Sequence, residues 1–258
     1  MTSFVEDLVE PAKNWLKTRK VASLVPSEIT IHLDQVDSVK MVSAGRVEHF
    51  RTAGYGGEIH QLAFFHSLVR PNDHLWDIGA SNGLFALHAA AKGCTVDAFE
   101  PDPRIATRLR TNIELNNFDS KIEIHEVALS DEPGSFSLYS DGVEGNSPSL
   151  SDLGRHSSEI VVDVTTADLK MVDTKRPTIF KIDIEGAELD MLAGAKSILS
   201  TAERPRMIFV EIHHTFLAQR GQKASAVREL LADSGYGELT SDERGDQFLS
   251  IWVDPKQI

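Results

Sequence analysis

The chain is poor in several residue types, and each shortage removes a class of protein. Of 258 residues one is cysteine, Cys94, so neither a disulfide framework nor a thiolate metal cluster is available. A lone thiol suits a reducing compartment, and a cytoplasmic location is the expectation. Basic residues are outnumbered, 26 against 39 acidic ones, for a net charge of −13. Such a field opposes a nucleic-acid backbone or an anionic membrane as partner and favours solubility. No apolar stretch approaches the roughly 18 residues of a membrane span. Residues 1–20 alternate charged and apolar positions, unlike a signal peptide. Repeats and low-complexity tracts are absent too. What is present, 41% hydrophobic and 25% charged residues, suffices for one large α/β domain with an N-terminal elaboration.

The elaboration is expected over residues 1–57 and the main domain over 58–258. Phe4, Leu8 and Trp15 mark an amphipathic first helix, and this region is a candidate contact surface for a homo-oligomer. Residues 28–33, 38–42 and 47–52 read as short strands, and 58–69 as a helix. Strands and helices then alternate. Strands are expected at 74–78, 95–99, 121–128, 179–182, 207–212 and 247–253. Helices are expected at 84–91, along the stripe Ile105, Leu109 and Ile113, along Leu189, Leu192, Ala195 and Leu199, and at 224–234. Extended segments at 135–139 and 160–164 flank residues 141–159, a Gly-, Ser- and Asp-rich stretch read as a long loop. Its part from Asp141 to Ser151, with Asn146, Ser147 and Ser149, is the expected acceptor-facing lid. This alternation implies a mostly parallel sheet covered by helices on both faces, with ligands at the carboxyl ends of the strands.

The strongest chemical signal stands at such an end: Asp77-Ile78-Gly79-Ala80-Ser81-Asn82-Gly83. Gly79 permits a tight turn and Gly83 a close approach at the start of the next helix. Helix N-termini offer N–H groups to an anionic part of a ligand. Glu100, after the second main strand, is placed to take the hydroxyls of a ribose. Dinucleotide sites carry G-x-G-x-x-G, whereas position 81 is serine and Asp77 precedes the turn. A pyrophosphate would be repelled by that carboxylate, and a cofactor with an amino group and a sulfonium cation attracted. The residues thus favour S-adenosylmethionine over NAD.

Trp76-Asp77-Ile78-Gly79-Ala80-Ser81-Asn82-Gly83 and Phe180-Lys181-Ile182-Asp183-Ile184-Glu185-Gly186-Ala187-Glu188 together resemble the FkbM family of methyltransferases. Phe99-Glu100-Pro101, Val127-Ala128-Leu129-Ser130, Thr165-Thr166-Ala167-Asp168-Leu169 and Val210-Glu211-Ile212-His213 fit as well, so the resemblance runs over about residues 58–213. It implies a Rossmann-like class I methyltransferase fold with a seven-stranded, mostly parallel sheet. It also implies methyl transfer from S-adenosylmethionine to a hydroxyl or carboxyl of a sugar, glycan or secondary metabolite. On that resemblance Asp77, Gly79, Ala80, Asn82 and Gly83 surround the methionine part and Glu100 the ribose. Pro101 and Asp102 line the adenine side, Glu126, Val127 and Ala128 flank the ring, and Asp183 stands beside the sulfonium. Glu58 and Tyr55 are candidates to close over the cofactor.

A hydroxyl acceptor needs a base, and Asp183, Glu211 and His213 are the candidates at the sheet's carboxyl edge. An Asp, Glu and His group is also a conceivable cation site, but no ligand run selects a metal, and none is assigned. Glu185 reads as a helix N-terminal residue facing the dipole. His60, His66, His74, His88, His125 and His156 have no supporting spacing and read as structural. Two other readings stay open at this level: an NAD-dependent oxidoreductase, and a non-catalytic protein that keeps the cofactor pocket.

Overall fold

The computed structural model describes residues 27–33, 38–43, 58–142, 148–150 and 158–257. The helix expected within residues 1–20, the strand expected at 47–52, and Tyr55, Asn146, Ser147 and His156 lie outside the described residues.

A hairpin comes first, β1 (Ser27–His32) antiparallel to β2 (Ser38–Ser43). Helix α1 (Glu58–Leu68) leads into β3 (His74–Ile78), α2 (Leu84–Ala91), β4 (Thr95–Phe99), α3 (Pro103–Leu115) and β5 (Ile122–His125). Three strands follow, β6 (Ala128–Ser130), β7 (Gly134–Tyr139) and β8 (Glu159–Thr166), then α4 (Ala167–Lys170) and β9 (Ile179–Ile182). The chain continues through α5 (Glu188–Ala193), α6 (Lys196–Ser200), β10 (Met207–His213) and α7 (His214–Gln219). It closes with α8 (Ala224–Asp233), β11 (Gly237–Arg244) and β12 (Gln247–Val253).

Seven strands form the main sheet, in the order β11-β12-β10-β9-β3-β4-β5. The five from β10 to β5 are parallel, and β12 and β11 complete one edge antiparallel. The expected Rossmann-like α/β sheet is thus observed. Its order reverses between β3 and β9, and a crevice opens at that point beyond the carboxyl ends.

The central strands read as continuous apolar runs because both of their faces are buried. Leu75, Val96, Ala98, Ile179, Met207 and Phe209 meet Leu62, Phe65, Phe85 and Leu109 of α1, α2 and α3. Trp76, Ile78, Phe99, Phe180, Ile182, Ile208 and Val210 alternate with them and meet Met191, Leu192, Ile198, Val227 and Leu231 on the opposite face. The hairpin joins the first core through Ile31, Val39 and Met41. Asn112 of α3 and Asn116 at its C-cap accept hydrogen bonds from the N–H groups of Val42 and Lys40 at 2.8 and 2.9 Å, so this edge of β2 is capped by side chains. His74 and His125 both bond to Asp97, at 2.7 and 2.9 Å, and tie β3, β4 and β5 together. No helix among the described residues is long and apolar enough to cross a membrane.

Two sequence expectations are corrected, and one strand is found where none was expected. Residues 121–128 are not one strand: β5 ends at His125, and β6 pairs with β8 in a separate sheet of order β6-β8-β7. The helix along Leu189 to Leu199 breaks into α5 and α6 at Gly194, where an added Cβ would lie 2.0 Å from the Ser130 carbonyl oxygen. Finally, β11 has the sequence GELTSDER, with its described side chains exposed. It is a strand through pairing with β12 and carries no hydrophobic signal of its own.

Candidate active site

The crevice is lined by the turn after β3 (Ile78 to Asn82), the end of β4 (Phe99 to Pro101), Val127 to Leu129, and, at the end of β9, Lys181 and Asp183 to Glu185. Leu84 and Phe85 of α2, Glu211 of β10 and Gln247 of β12 also line it. Two adjacent loops meet in its floor. Gly79 has φ +78°, and a Cβ there would stand 2.0 Å from the Asp183 carbonyl oxygen, so only glycine allows this approach. Four of the turn's N–H groups are engaged within the protein. Gly79 and Ala80 donate to Phe99 O at 3.0 Å each, Ser81 to Glu100 Oε2 at 3.0 Å, and Gly83 to Ala80 O at 2.9 Å. Such a turn is a poor cradle for pyrophosphate, which needs those donors free.

Below the turn lies an ion pair set by register. Asp77 and Lys181 are direct partners across β3 and β9, both buried, with Lys181 Nζ 3.4 Å from Asp77 Oδ1. Burial raises the Asp77 pKa against the pull of Lys181. For Lys181 burial acts downward, but the charges of Asp77, Asp183 and Glu211 raise it and keep it an ammonium. It also donates to Gly79 O at 3.1 Å and sits over the Phe85 ring at 5.0 Å. Asp77 is therefore a support of the floor, balanced by Lys181. It does not line the crevice, contrary to its expected contact with the methionine part.

Glu100 does line it. Its Oε2 and Oε1 accept the Ser81 and Asp102 N–H groups at 3.0 Å each, leaving a second lone pair on each oxygen for a hydroxyl. Burial pushes its pKa up to about 7. Beside it Phe99, Pro101, Val127, Ala128, Leu129 and Leu138 supply an apolar wall.

The opposite wall is ionic. Asp183 extends β9 by one residue on the face of Lys181, and its Oδ2 lies 3.5 Å from Lys181 Nζ. Its Oδ1 lies 3.8 Å from His213 Nε2, and Glu185 Oε2 lies equally far from that nitrogen. His213 is 2% exposed, and its Nδ1 bonds to the fully buried Glu188 Oε1 at 2.8 Å. Burial alone would drive the imidazole pKa down. The Glu188 hydrogen bond and the charges of Glu188, Glu185 and Asp183 outweigh it and raise the pKa to about 10. Glu185 reaches this point because it has φ +53° and Gly186 φ +96°, a doubly left-handed turn. Gly186 N–H donates to Glu188 Oε1 at 2.9 Å, and Ser149 Oγ donates to Glu185 O at 3.1 Å.

Of the residues singled out from the sequence, Gly79, Ala80, Asn82, Glu100, Pro101, Val127, Ala128, Asp183 and Glu211 surround the crevice. Others stand elsewhere. Gly83 is needed for packing, since a Cβ there would lie 2.5 Å from Leu109 Cδ1. Asp102 is the buried N-cap of α3, holding Arg104 at 2.7 Å and accepting from the Ser140 hydroxyl. Glu126 is half-exposed and pairs with Arg110 at 2.8 Å. Glu58 opens α1, and its side chain lies outside the described atoms. His213 sits behind Asp183 and Glu185 and, protonated, is not a free base. Glu185 is not a dipole residue, because α5 begins at Glu188 and the side chain turns to His213. Of the lid, Pro148, Ser149 and Leu150 line the crevice. Lys181 and Glu188 were missed as site residues. The run of charged residues from 181 to 188 was their one signal, and it does not show which of them face one another.

A model of the methyltransferase FkbM domain matches residues 77–237. Methyltransferase 1 of Beauveria bassiana is 31% identical over 142 residues, 46% of this chain and 56% of that protein, so the chain spans little more than half of that relative's length. Hexuronic acid methyltransferase AglP of Haloferax volcanii is 23% identical over 241 residues, 92% of this chain and 93% of that protein. The 31-O-demethyl-FK506 methyltransferase FkbM of Streptomyces tacrolimicus is 28% identical over 178 residues, 56% of this chain and 67% of that protein. The oxidoreductase reading is thereby overturned. The chain belongs to the FkbM methyltransferase family and carries its methyltransferase domain over residues 77–237.

Proposed function

We propose that the protein transfers a methyl group from S-adenosylmethionine to a hydroxyl oxygen of a sugar, glycan or polyhydroxylated metabolite. The observation that carries this reading is the Asp183 carboxylate, 31% exposed at the end of β9 and opening onto the crevice between Lys181 and His213. The crevice's donor set fits the cofactor in parts: an apolar wall for adenine, Glu100 for the ribose hydroxyls, and Asp183 for a cationic sulfur. When bound, S-adenosylmethionine supplies a methyl group on a sulfur that already leaves well. The protein's share is then alignment, exclusion of water, and removal of the acceptor's proton.

Asp183 and Glu211 both face the crevice, and this carboxylate pair receives the hydroxyl proton as the oxygen–carbon bond forms. A carboxylate acceptor needs no base and would meet the charges of Asp183, Glu185 and Glu211, which disfavours it. Two relatives, a hexuronic acid methyltransferase and a 31-O-demethyl-FK506 methyltransferase, support an oxygenated acceptor. The test uses methyl-labelled S-adenosylmethionine with a panel of sugars and polyols, and mass spectrometry of the products. An O-methyl ether is expected, with D183N reducing kcat by about 100-fold or more. Label found on nitrogen or carbon, or D183N and E211Q both turning over like the parent, would refute the reading.

A further inference from the structure

We propose that Asp183, Glu185 and His213 form a binding site for a first-row divalent transition-metal ion. One carboxylate oxygen of each acid and Nε2 of the histidine lie within 4.8 Å of one another. Ligand atoms about 2.0–2.2 Å from a common ion stand roughly 3–4 Å apart, so modest side-chain rotation closes this set on one ion. Nε2 of His213 lies 3.8 Å from both Asp183 and Glu185, beyond hydrogen-bond reach of either, yet aimed between them from a side chain that is 2% exposed.

The independent observation lies behind the histidine. Glu188 is fully buried and accepts the Nδ1–H hydrogen bond at 2.8 Å, its position fixed by the Gly186 N–H at 2.9 Å. A carboxylate on the far nitrogen is how proteins orient a metal-binding imidazole and raise its donor strength. In this arrangement Nε2 is the ring atom left for an ion. The remaining coordination positions open to the crevice, because Asp183 and Glu185 line it and His213 does not. One imidazole with two carboxylates favours manganese, iron, cobalt or zinc over calcium and magnesium, which prefer all-oxygen sets. Binding releases the Nε2 proton to solvent.

Resting on the hydroxyl-transfer reading, the ion gains a role: an acceptor oxygen on its open position is acidified. Asp183 is then a ligand, and Glu211 receives the proton. The oxygen–hydrogen bond breaks toward Glu211, the oxygen–methyl bond forms, and the methyl–sulfur electron pair stays with sulfur. The second acid and histidine group, Asp97, Glu123 and His125, is the internal contrast. None of those three residues lines the crevice.

The test titrates Mn2+ into EDTA-stripped protein and follows loss of the free-ion electron paramagnetic resonance signal, with no acceptor or cofactor present. One ion per chain is expected. E185Q and H213Q should each weaken binding at least tenfold, E188Q by about 10-fold through the lost orientation, and E123Q not at all. E185Q changes a partly exposed side chain isosterically, and circular dichroism of each variant verifies the fold. Parent protein that binds no Mn2+, or E185Q and H213Q that bind it like the parent, would overturn the site, as would a loss confined to E123Q. Full turnover of the stripped enzyme, unchanged by added Mn2+, would overturn the ion's role. Because binding is read without acceptor, its failure leaves the hydroxyl-transfer reading standing, and an absent methyl product leaves the binding result standing.

Discussion

Replacing Gly79 by alanine tests the claim that the β3 turn and the β9 end are shaped by one close approach. Two costs are separable. At φ +78° an L-residue is strained by about 1–2 kcal/mol. The added Cβ would also stand 2.0 Å from the Asp183 carbonyl oxygen, where ordinary contact begins at 3.4 Å, so the loops must part by more than an ångström. Overpacking of this kind adds roughly 1–3 kcal/mol. The expected loss is about 2–5 kcal/mol, measured as the shift of the urea midpoint at constant slope. Gly221 supplies the control, with φ +72° and nothing within 4 Å of an added Cβ, so G221A isolates the backbone strain. The collision displaces Asp183 and the floor bonded by Lys181. Methyl transfer should therefore fall by roughly 100-fold in G79A, as misplacement by an ångström does elsewhere, and remain unchanged in G221A. A G79A loss no larger than that of G221A, with normal turnover, would refute the close approach as the reason for glycine.

Three further outcomes follow from the buried charges. His213, with a folded pKa near 10 against about 6.5 when free, adds stability that is complete below the free value and is lost as pH rises toward 10; metal-free parent should lose unfolding free energy over that span more steeply than H213Q, and equal slopes would count against the buried charge cluster. Asp97 lies at about 2 because the His125 and His74 hydrogen bonds outweigh its burial, so its contribution is present above about 3.9 and lost as pH falls through 2. D97N at neutral pH should cost roughly 3–5 kcal/mol by denaturant unfolding, and a loss under 1 kcal/mol would show that the His74–Asp97–His125 bridge is not structural. Glu100, at about 7, should hold the cofactor's ribose better as a carboxylate. The KM for S-adenosylmethionine should rise as pH drops through 7, with E100Q weaker by about 10-fold above pH 7 and approaching the parent below it, and a flat profile with an unaffected E100Q would remove Glu100 from the ribose site.

The alternation of elements from residue 74 onward, the turn Asp77 to Gly83 and the acid at Glu100 were legible in the sequence, because each is a local pattern. An apolar run buried on both faces, a glycine at a forced φ and an acid directly after a strand all keep their meaning without knowledge of the neighbours. Strand β11 was not legible, since its polar residues become a strand through β12 alone. The split of the long helix was hidden as well. Gly194 gave no sign of why it is glycine until the Ser130 carbonyl was found against it.

The site divides the same way. Sequence alone placed Asp183, Glu211 and His213 at one edge of the sheet, and a family resemblance carried the cofactor. Which charges meet was decided by the tertiary structure. Asp77 attends to Lys181 because strand register sets them opposite each other. Glu185 joins His213 because two successive left-handed residues reverse its direction. Glu188, given no role in the sequence, orients the histidine from a fully buried position. Periodicity reports which face of its own element a residue takes, but pairing across elements depends on register and loop dihedrals, which the folded chain alone determines.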